Sequence, residues 1–364
     1  MNKNKLLFLI QLPPPVHGSA LVNKLLMTHK QIQNKYQVDV VPTQLANTME
    51  DLGNFSIKKV WNGFLIFYNT ILKLLTKRYD LVYLTLSPLS FAFYKDAVLV
   101  LMAKSFGNKV VLHLHGKGIK DEIKSRFKKR IYKMVFKNTD VIVLAETLYS
   151  DVSEIYSKTP YVLPNGIIDS PFKDSNTEKN LNRTSFTYLS NLTKDKGIYC
   201  FLEAINLLKS RENEFFATIA GPSADVSIEE VNEYIQKHNL TNVSVKGAVY
   251  GKEKYQVLND SDVFVLPSLN ECFPLTILEA YQAELAVIST SVGAIPDIVK
   301  NRENGFVIEP KNSKLLAEKM SEIMGNHDLL KSMKLNNKKE YKENYTEEIF
   351  IKNFITIIDE ILKK

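Results

Sequence analysis

Short apolar runs alternate with longer helical patterns from one end of the 364-residue sequence to the other. This alternation is typical of parallel sheets whose strands are joined by crossover helices. The runs form two series, separated by a polar stretch rich in Pro, Asp, Ser and Asn, which indicates a linker. The predicted strands are 6–11, 38–41, 81–84, 110–114, 141–144 and 161–163, then 186–190, 215–221, 243–247, 263–268, 286–290 and 305–310.

The sequence therefore predicts an α/β protein of two doubly wound, Rossmann-like domains. A chain of this length also exceeds what one ordinary core accommodates. Ligands of such sheets bind beyond the carboxyl ends of the strands, so two domains facing each other would enclose a cleft. The predicted boundaries are 1–168 for the first domain, 169–183 for the linker, 184–345 for the second domain and 346–364 for a C-terminal helix that returns to the first.

The composition is that of a soluble globular protein, with 45% hydrophobic and 24% charged residues. The longest apolar runs fall short of the roughly 20 residues that a membrane-spanning helix needs. Two cysteines, Cys200 and Cys272, form neither a disulfide framework nor a zinc-binding pattern, which favours a reducing cytoplasm.

Positive charge is concentrated in the first half of the chain. Residues 1–180 contain 25 basic and 14 acidic residues, whereas the remainder contains 22 and 26. The densest segment, 120–136, is predicted to be one helix with an apolar stripe at positions 123, 127, 131 and 134. Such a helix can lie on an anionic membrane, or its stripe can face the core of its own domain. The candidate membrane-surface residues are Lys120, Lys124, Lys128, Lys129 and Arg130.

Two strand ends in the first half carry candidate site residues. After the first strand, Gly18 and Ser19 open a helix whose backbone amides could approach a phosphate closely. Loops of this composition are also common without function. After the fourth strand, His115 precedes a glycine at the strand end, which makes it a site candidate, whereas His113 is interpreted as a core residue.

The second half offers a lysine and two glutamates. Lys196 lies at the entrance to a helix, where an ammonium group and free amides would suit a diphosphate. Glu271 lies in a loop after a strand, and Glu279 lies in the following helix among apolar residues. A carboxylate there costs free energy unless it finds donors, and paired sugar hydroxyls would supply them. On spacing alone, a partly exposed helix glutamate is the favoured interpretation of Glu279.

Taken together, these motifs resemble the retaining glycosyltransferases of family 4, which have the GT-B fold. The likeness includes HLHG at 113–116, LPNG at 163–166, LPSLNECFPLTILEAYQAELAVISTSVGAIPDIV at 266–299 and ENGFVIEP at 303–310. The glutamates at 271 and 279, with seven residues between them, match that family's E-x7-E motif. The ordered series covers nearly the whole chain.

The resemblance implies a role for each matching residue. Glu279 would bind the ribose hydroxyls of a nucleotide sugar, Lys196 would neutralise the departing diphosphate, and His115 and Glu271 would act at the transferred sugar. His17 and Ser19 would lie on the acceptor side. The donor-binding residues implied are Gly18, Asn191, Lys196, Phe273, Leu275, Thr276 and Glu279. No cofactor or metal is expected, in line with the absence of a convincing Asp-x-Asp loop.

The sequence departs from the family pattern at two positions. Asn191 stands where an arginine is common, so one positive charge near the phosphates is missing or is supplied elsewhere. His17 replaces the first of two glycines in the N-terminal loop, which could narrow the acceptor side.

The predicted activity is transfer of a hexosyl or N-acetylhexosaminyl group from a UDP- or GDP-sugar to a lipid-linked saccharide, with retention of anomeric configuration. The expected context is capsule, exopolysaccharide or O-antigen synthesis at the cytoplasmic face of the cell membrane. We expect a peripheral protein that is a monomer or weak dimer.

Three other functions fit parts of the sequence. The first is a sugar-nucleotide epimerase of similar architecture. The second is a nucleic-acid-binding protein that uses the basic segment, although no recognition motif is present and the second half is acidic. The third is an inactive scaffold, which the glutamate pair and Lys196 disfavour.

Overall fold

The computed structural model describes residues 3–45, 57–170 and 183–364. The chain divides into two compact units: the first comprises Met1–Gly166 and Glu347–Lys364, and the second comprises Ile167–Thr346. Most of the predicted linker, residues 171–182, lies outside the described residues. Asp169, at its start, belongs to the second unit and accepts a hydrogen bond of 2.7 Å from the hydroxyl of Tyr341.

The first unit contains a six-stranded parallel sheet in the order β2-β1-β3-β4-β5-β6. All six strands predicted for the first half are confirmed, with ends that differ by one or two residues. Their near-continuous apolar sequences fit a sheet covered on both faces. The strands are β1 Lys5–Ile10, β2 Gln37–Pro42, β3 Leu81–Leu86, β4 Lys109–Leu114, β5 Asp140–Val143 and β6 Tyr161–Val162.

The helices of this unit cover the two faces of the sheet. The chain first steps from β1 to β2 at one edge, and then moves in the opposite direction through β3, β4 and β5. Because such crossovers are right-handed, the helices of the four later connections, through to β6, share one face, opposite the helices between β1 and β2. The helices are α1 Gly18–Thr28, α2 Lys30–Lys35, α3 Ile57–Thr76, α4 Ser90–Ser105, α5 Ile119–Glu122, α6 Arg126–Phe136 and α7 Tyr149–Val152.

The single helix predicted over 120–136 is wrong. The segment contains α5 and α6, because Ser125 has extended backbone angles (φ −78°, ψ 128°) and begins a second helix. Ile123 is buried as expected, but Phe127 and Met134 are exposed. The buried side of α6 consists instead of Tyr132, Val135 and Phe136, so the predicted stripe is not the buried side of this helix.

The second unit contains another six-stranded parallel sheet, in the order β12-β11-β10-β7-β8-β9. The predicted strands of the second half are all confirmed. The chain runs from β7 outward to β9 and returns to place β10 on the other side of β7, so the strand order reverses between β7 and β10. The strands are β7 Thr184–Leu189, β8 Phe215–Ala220, β9 Val243–Gly247, β10 Val263–Leu266, β11 Ala286–Thr290 and β12 Gly305–Ile308.

The helices of the second unit enclose a core centred on aromatic residues. Phe186, Phe201, Phe215 and Phe306 are completely or almost completely buried in one cluster. Helix α13 packs against α8 over the sheet. The helices are α8 Ile198–Leu207, α9 Ile228–Lys237, α10 Gly251–Asn259, α11 Leu275–Gln282, α12 Ile295–Ile298, α13 Ser313–Met324 and α14 His327–Glu340.

The C-terminal helix α15, Glu347–Lys363, packs on the first unit. The ring of Phe354 meets those of Phe8 and Tyr83 edge to face, at centroid distances of 6.2 and 5.3 Å. The carboxylate of Asp359 accepts a hydrogen bond of 2.6 Å from the hydroxyl of Tyr36. The returning C-terminal helix is therefore confirmed. No helix within the described ranges has the length and apolar character needed to cross a bilayer.

Candidate active site

The reversal of strand order in the second unit brings two loops together. The loop after β7 contains a 3₁₀ turn, Lys194–Lys196, and the loop after β10 begins at Pro267. The loops touch because Gly197 has a left-handed backbone (φ 78°) and lacks a Cβ, which would overlap the carbonyl oxygen of Pro267. The amide of Leu269 also donates a hydrogen bond of 2.7 Å to the carbonyl of Asp195. In open α/β sheets this position is where ligands bind.

Lys196 and Glu271 meet at this point. The ammonium of Lys196 donates to Oε1 of Glu271 over 2.6 Å, and the hydroxyl of Ser268 donates to the same oxygen over 3.1 Å. Glu271 is only 8% exposed. Its loop is fixed from the other side by Gly293, where a Cβ would overlap the Glu271 carbonyl oxygen. The structure thus brings two sequence-predicted site residues into direct contact.

Glu279 is the fifth residue of α11, and its side chain contacts a lysine of α10. Lys254 donates to Oε1 of Glu279 over 2.6 Å. The other carboxylate oxygen, Oε2, is buried and has no hydrogen-bond partner. Lys254 was not predicted from the sequence, because one lysine in a chain with 47 Lys and Arg residues belongs to no recognisable pattern. The partnerless oxygen is a free acceptor for a ligand hydroxyl.

The start of α11 supplies hydrogen-bond donors. Pro274 is its N-cap residue, followed by Leu275 and Thr276 in the first turn. First-turn N–H groups have no partner inside a helix, and they carry the positive end of the helix dipole. Phe273 is buried, with its ring 6.5 Å from that of Tyr345. The start of this helix therefore suits a negatively charged ligand group.

Asn191 lies at the start of the loop that follows β7. Its side chain is exposed, and its backbone carbonyl accepts a hydrogen bond of 3.2 Å from the hydroxyl of Tyr188. The position is accessible to a longer side chain such as the arginine common in the resembling family.

His115, in the first unit, directly follows β4. Both its ring nitrogens are buried and lack hydrogen-bond partners. Burial, together with the charge of His17, lowers the pKa of His115 to about 3. Its ring centroid lies 4.1 Å from that of His113, whose Nδ1 is 2.6 Å from the hydroxyl of Tyr83. His113 is completely buried, as predicted for a core residue. His115 is therefore a neutral imidazole with a donor and an acceptor available.

His17, Gly18 and Ser19 form the N-terminal cap of α1. The Nδ1 atom of His17 accepts a hydrogen bond of 3.3 Å from the amide of Ala20 and lies 3.0 Å from the hydroxyl of Ser19. Burial lowers the pKa of His17. The predicted acceptor-side residues thus contact each other, and Gly18 is the first residue of the helix.

Asp151 fixes the loop that follows His115. Its carboxylate accepts hydrogen bonds from the amides of Gly118, Ile119 and Lys120, at 3.0 to 3.2 Å. This contact was not predicted from the sequence, because Asp151 is distant in the chain from the loop and belongs to no motif.

Most of the candidate membrane-surface lysines have acidic neighbours. Lys124 pairs with Asp121, Lys128 with Glu122 over 2.6 Å, and Lys129 with Glu154. Exposed pairs of this kind contribute little stability, but they reduce the positive charge presented to solvent.

Comparisons with known proteins find similarity to glycosyltransferases. Residues 169–340 match the family model described as glycosyl transferases group 1. The Staphylococcus aureus capsular polysaccharide biosynthesis glycosyltransferase CapM is 26% identical over 178 residues, which are 49% of this chain and 46% of CapM. The Campylobacter jejuni N,N'-diacetylbacillosaminyl-diphospho-undecaprenol alpha-1,3-N-acetylgalactosaminyltransferase is 24% identical over 46% of this chain and 42% of its own length.

Among solved structures, Anabaena HepE in complex with UDP superposes with a TM-score of 0.76 at 16% identity, covering 98% of this chain and 100% of HepE. The chain thus has the GT-B fold, and most of its second unit matches the model of the group 1 glycosyltransferase family. The resemblance drawn from the sequence is confirmed at this level. The matched stretches span about half the length of CapM and of the Campylobacter enzyme.

Proposed function

We propose that this protein is a retaining glycosyltransferase of bacterial polysaccharide assembly. It would transfer a hexosyl or N-acetylhexosaminyl group from a UDP- or GDP-sugar to a hydroxyl of a lipid-linked saccharide. The observation that carries the proposal is the contact between Lys196 and Glu271 at the reversal point of the second sheet. The contact lies within the part of the chain that matches the family.

The donor would bind to the second unit. Its diphosphate would accept hydrogen bonds from the ammonium of Lys196 and from the first-turn amides near Phe273, Leu275 and Thr276. A hydroxyl of its ribose would donate a hydrogen bond to the free Oε2 of Glu279. The HepE structure contains UDP, which supports a nucleoside diphosphate as the ligand class. Lys254 could supply part of the positive charge that Asn191 does not.

The proposed reaction breaks the bond between the anomeric carbon and the diphosphate oxygen, and the electron pair stays on the diphosphate. Fixed positive charge at the leaving group lowers this barrier because it interacts most strongly with the charge that develops there. The acceptor oxygen forms the new bond on the same face of the sugar. Its proton passes to the departing phosphate, which gives retention without a covalent enzyme intermediate.

The remaining residues complete the proposal. Glu271 and His115 are assigned to the transferred sugar, and the cap formed by His17, Gly18 and Ser19 to ligand contacts in the first unit. The charge of the diphosphate is assigned to lysine and amides, so no cofactor or metal is proposed. Turnover that survives EDTA would agree with this assignment, and turnover restored only by a divalent cation would contradict it.

The acceptor and location are proposed from charge and from relatives. The name of the Campylobacter enzyme includes a diphospho-undecaprenol acceptor, and the basic first half of this chain suits an anionic lipid-linked acceptor. A peripheral position at the inner face of the cell membrane follows, with Lys120, Lys124, Lys128, Lys129 and Arg130 near anionic lipid. A monomer or weak dimer is proposed, with no role for nucleic acid.

A nucleotide panel tests the donor. Melting temperature would be measured with UDP, GDP and their sugars, because a ligand that binds the native state raises it by mass action. One nucleotide should stabilise wild type, and Glu279→Ala should reduce that shift. No response to any nucleotide would remove the basis of the proposal. Conversion of the donor sugar in the absence of acceptor would instead favour the epimerase.

The anomeric outcome is tested on the product. Lipid-linked saccharides would be incubated with the stabilising donor, and the new linkage would be assigned by proton coupling constants. Retention is expected, and an inverted linkage would rule out the proposed same-face step.

A further inference from the structure

Helix α3 is apolar on the side that faces solvent. Its inward side, which includes Ile66, Thr70 and Leu74, is buried against the first unit. The opposite side should be polar in a surface helix, yet it carries large apolar residues that are 37% to 67% exposed. These residues are Val60, Trp61, Phe64, Leu65, Tyr68, Ile71, Leu72 and Leu75.

Three aromatic side chains on this exposed side form a ladder. The rings of Trp61 and Phe64 are stacked at a centroid distance of 5.7 Å with 27° between their planes. Phe64 and Tyr68 follow at 6.4 Å and 18°. Trp and Tyr are enriched where a protein meets the interface between lipid and water, because each combines an apolar ring with a polar group.

The neighbouring helices also expose large apolar side chains. Helix α4 packs against α3 and exposes Phe91 (76%), and α6 exposes Phe127 (72%). Helices α4 and α6 are joined by stacking of Phe93 on Tyr132, at 3.7 Å and 6°. Because all three helices belong to successive right-handed crossovers, they form one layer on the same face of the sheet.

This layer is also positively charged. Residues 57–78 include five basic residues and no acidic residue, and residues 119–137 include eight basic and two acidic residues. Lys73 of α3 and Lys77, which directly follows that helix, both contact the single carboxylate of Asp39, so that group balances only one of them. An apolar face with a basic border is complementary to anionic lipid.

We propose that the outward side of α3 inserts into the interfacial region of an anionic bilayer, with α4 and α6 resting beside it. This inference deepens the proposed function by naming the surface that would hold the enzyme where a lipid-linked acceptor resides. This mode of membrane binding differs from charge attraction through residues 120–130 alone, because burial of apolar side chains of α3 in the bilayer would be the main source of affinity. A second copy of the chain fits less well, because a symmetric pairing of this face would bring like charges together.

Trp61 provides a direct test because it is the only tryptophan in the chain. Its emission would be recorded with vesicles of phosphatidylcholine alone and of phosphatidylcholine mixed with phosphatidylglycerol. Insertion predicts a blue shift with the anionic vesicles, a smaller shift with the neutral ones, and quenching by lipids brominated on their acyl chains. No shift and no quenching with anionic vesicles would overturn the proposal, as would a salt-sensitive association that leaves Trp61 unquenched.

A matched pair of variants locates the surface. Leu75→Asp replaces a 67% exposed leucine of α3, and Leu335→Asp replaces a 56% exposed leucine of α14 in the second unit. Leu75→Asp should lower the partition coefficient into anionic vesicles at least about tenfold, since it removes an apolar side chain and adds a negative charge. Leu335→Asp should leave it unchanged. An equal effect of both variants would contradict the assignment of the surface to α3.

Two further measurements separate the alternatives. A dimer by light scattering that Leu75→Asp abolishes, without any vesicle binding, would replace lipid by a second copy as the occupant. The nucleotide-induced rise in melting temperature should be the same for Leu75→Asp and wild type. Loss of lipid binding with this rise intact would therefore leave the proposed donor site standing, whereas a missing nucleotide response would count against the proposed function alone.

Discussion

The ammonium of Lys196 lies 2.6 Å from Oε1 of Glu271, and the hydroxyl of Ser268 donates to the same oxygen. The lysine follows β7 and the other two residues follow β10, so the contact joins the ends of the two strands between which the sheet order reverses. Without donor, the carboxylate orients the lysine. When the donor binds, its diphosphate would compete with the Glu271 carboxylate for the ammonium of Lys196. This one ammonium group would therefore connect the residue assigned to the sugar with the phosphate contacts.

Loss of either partner should therefore slow turnover. For Lys196→Ala we expect kcat to fall about 10²- to 10³-fold, the loss typical of removing one group that stabilises developing negative charge. Glu271→Ala should also reduce kcat, while the Kd for the free nucleoside diphosphate stays within about threefold, because its role lies at the sugar. Steady-state kinetics and calorimetric titration would measure both quantities.

Lys194→Ala is the matched control, since Lys194 is an exposed lysine of the same 3₁₀ turn. Its kcat should remain close to wild type. If Glu271→Ala weakened nucleotide binding and left kcat unchanged, the roles assigned to the two glutamates would have to be exchanged.

Glu279→Ala should act on binding. The variant removes the acceptor proposed for the ribose hydroxyls, and a hydrogen bond to a charged group contributes about 1.5–3 kcal/mol, or roughly ten- to hundredfold in Kd. Glu322→Ala is a suitable control, because Glu322 is also an ion-paired helix glutamate of the second unit. Equal nucleotide affinity of Glu279→Ala and wild type, by calorimetry, would exclude the ribose contact.

The sequence predicted the strands well because parallel strands buried on both faces leave short apolar runs between helical patterns. It also singled out Lys196, Glu271 and Glu279 as candidates, since ordered motifs place Lys196 and Glu271 in loops after strands and Glu279 in the helix that follows the second loop. It did not predict Lys254 or Asp151, whose partners are distant in the chain and depend on tertiary packing. The basic segment was predicted as one helix because apolar spacing alone does not reveal the extended backbone of Ser125.

Lys254 should matter for stability as well as for binding. Lys254→Met leaves neither oxygen of the Glu279 carboxylate paired with a protein group, and an unsatisfied buried polar group costs about 1–3 kcal/mol. For a unit of this size the melting temperature should fall by about 2–4 °C per kcal/mol. Calorimetric melting curves would measure the change.

The double variant Lys254→Met/Glu279→Gln should recover part of that loss, because the remaining side chain is then neutral. Lys338→Met removes a more exposed ion pair with Glu284 and should cost less than about 1 kcal/mol. If Lys254→Met were as mild as Lys338→Met, the ion pair with Glu279 would not contribute to the stability of the folded unit.

His115 should make the first unit less stable in acid. Its pKa is lowered to about 3 in the folded protein, whereas an unfolded histidine titrates near about 6.5. Between these values the unfolded chain binds more protons, so the free energy of unfolding falls as pH decreases, by at most about 1.4 kcal/mol per pH unit from this residue.

Urea unfolding at pH 7, 6 and 5, followed by the emission of Trp61, would report on the first unit. His115→Asn should reduce the slope, although the buried His113 and His17 contribute in the same direction, and His327→Asn, at an exposed position of α14, should leave it unchanged. A slope unaffected by His115→Asn would show that this imidazole is not kept neutral by the fold, and would remove the basis for treating it as a neutral contact to the transferred sugar.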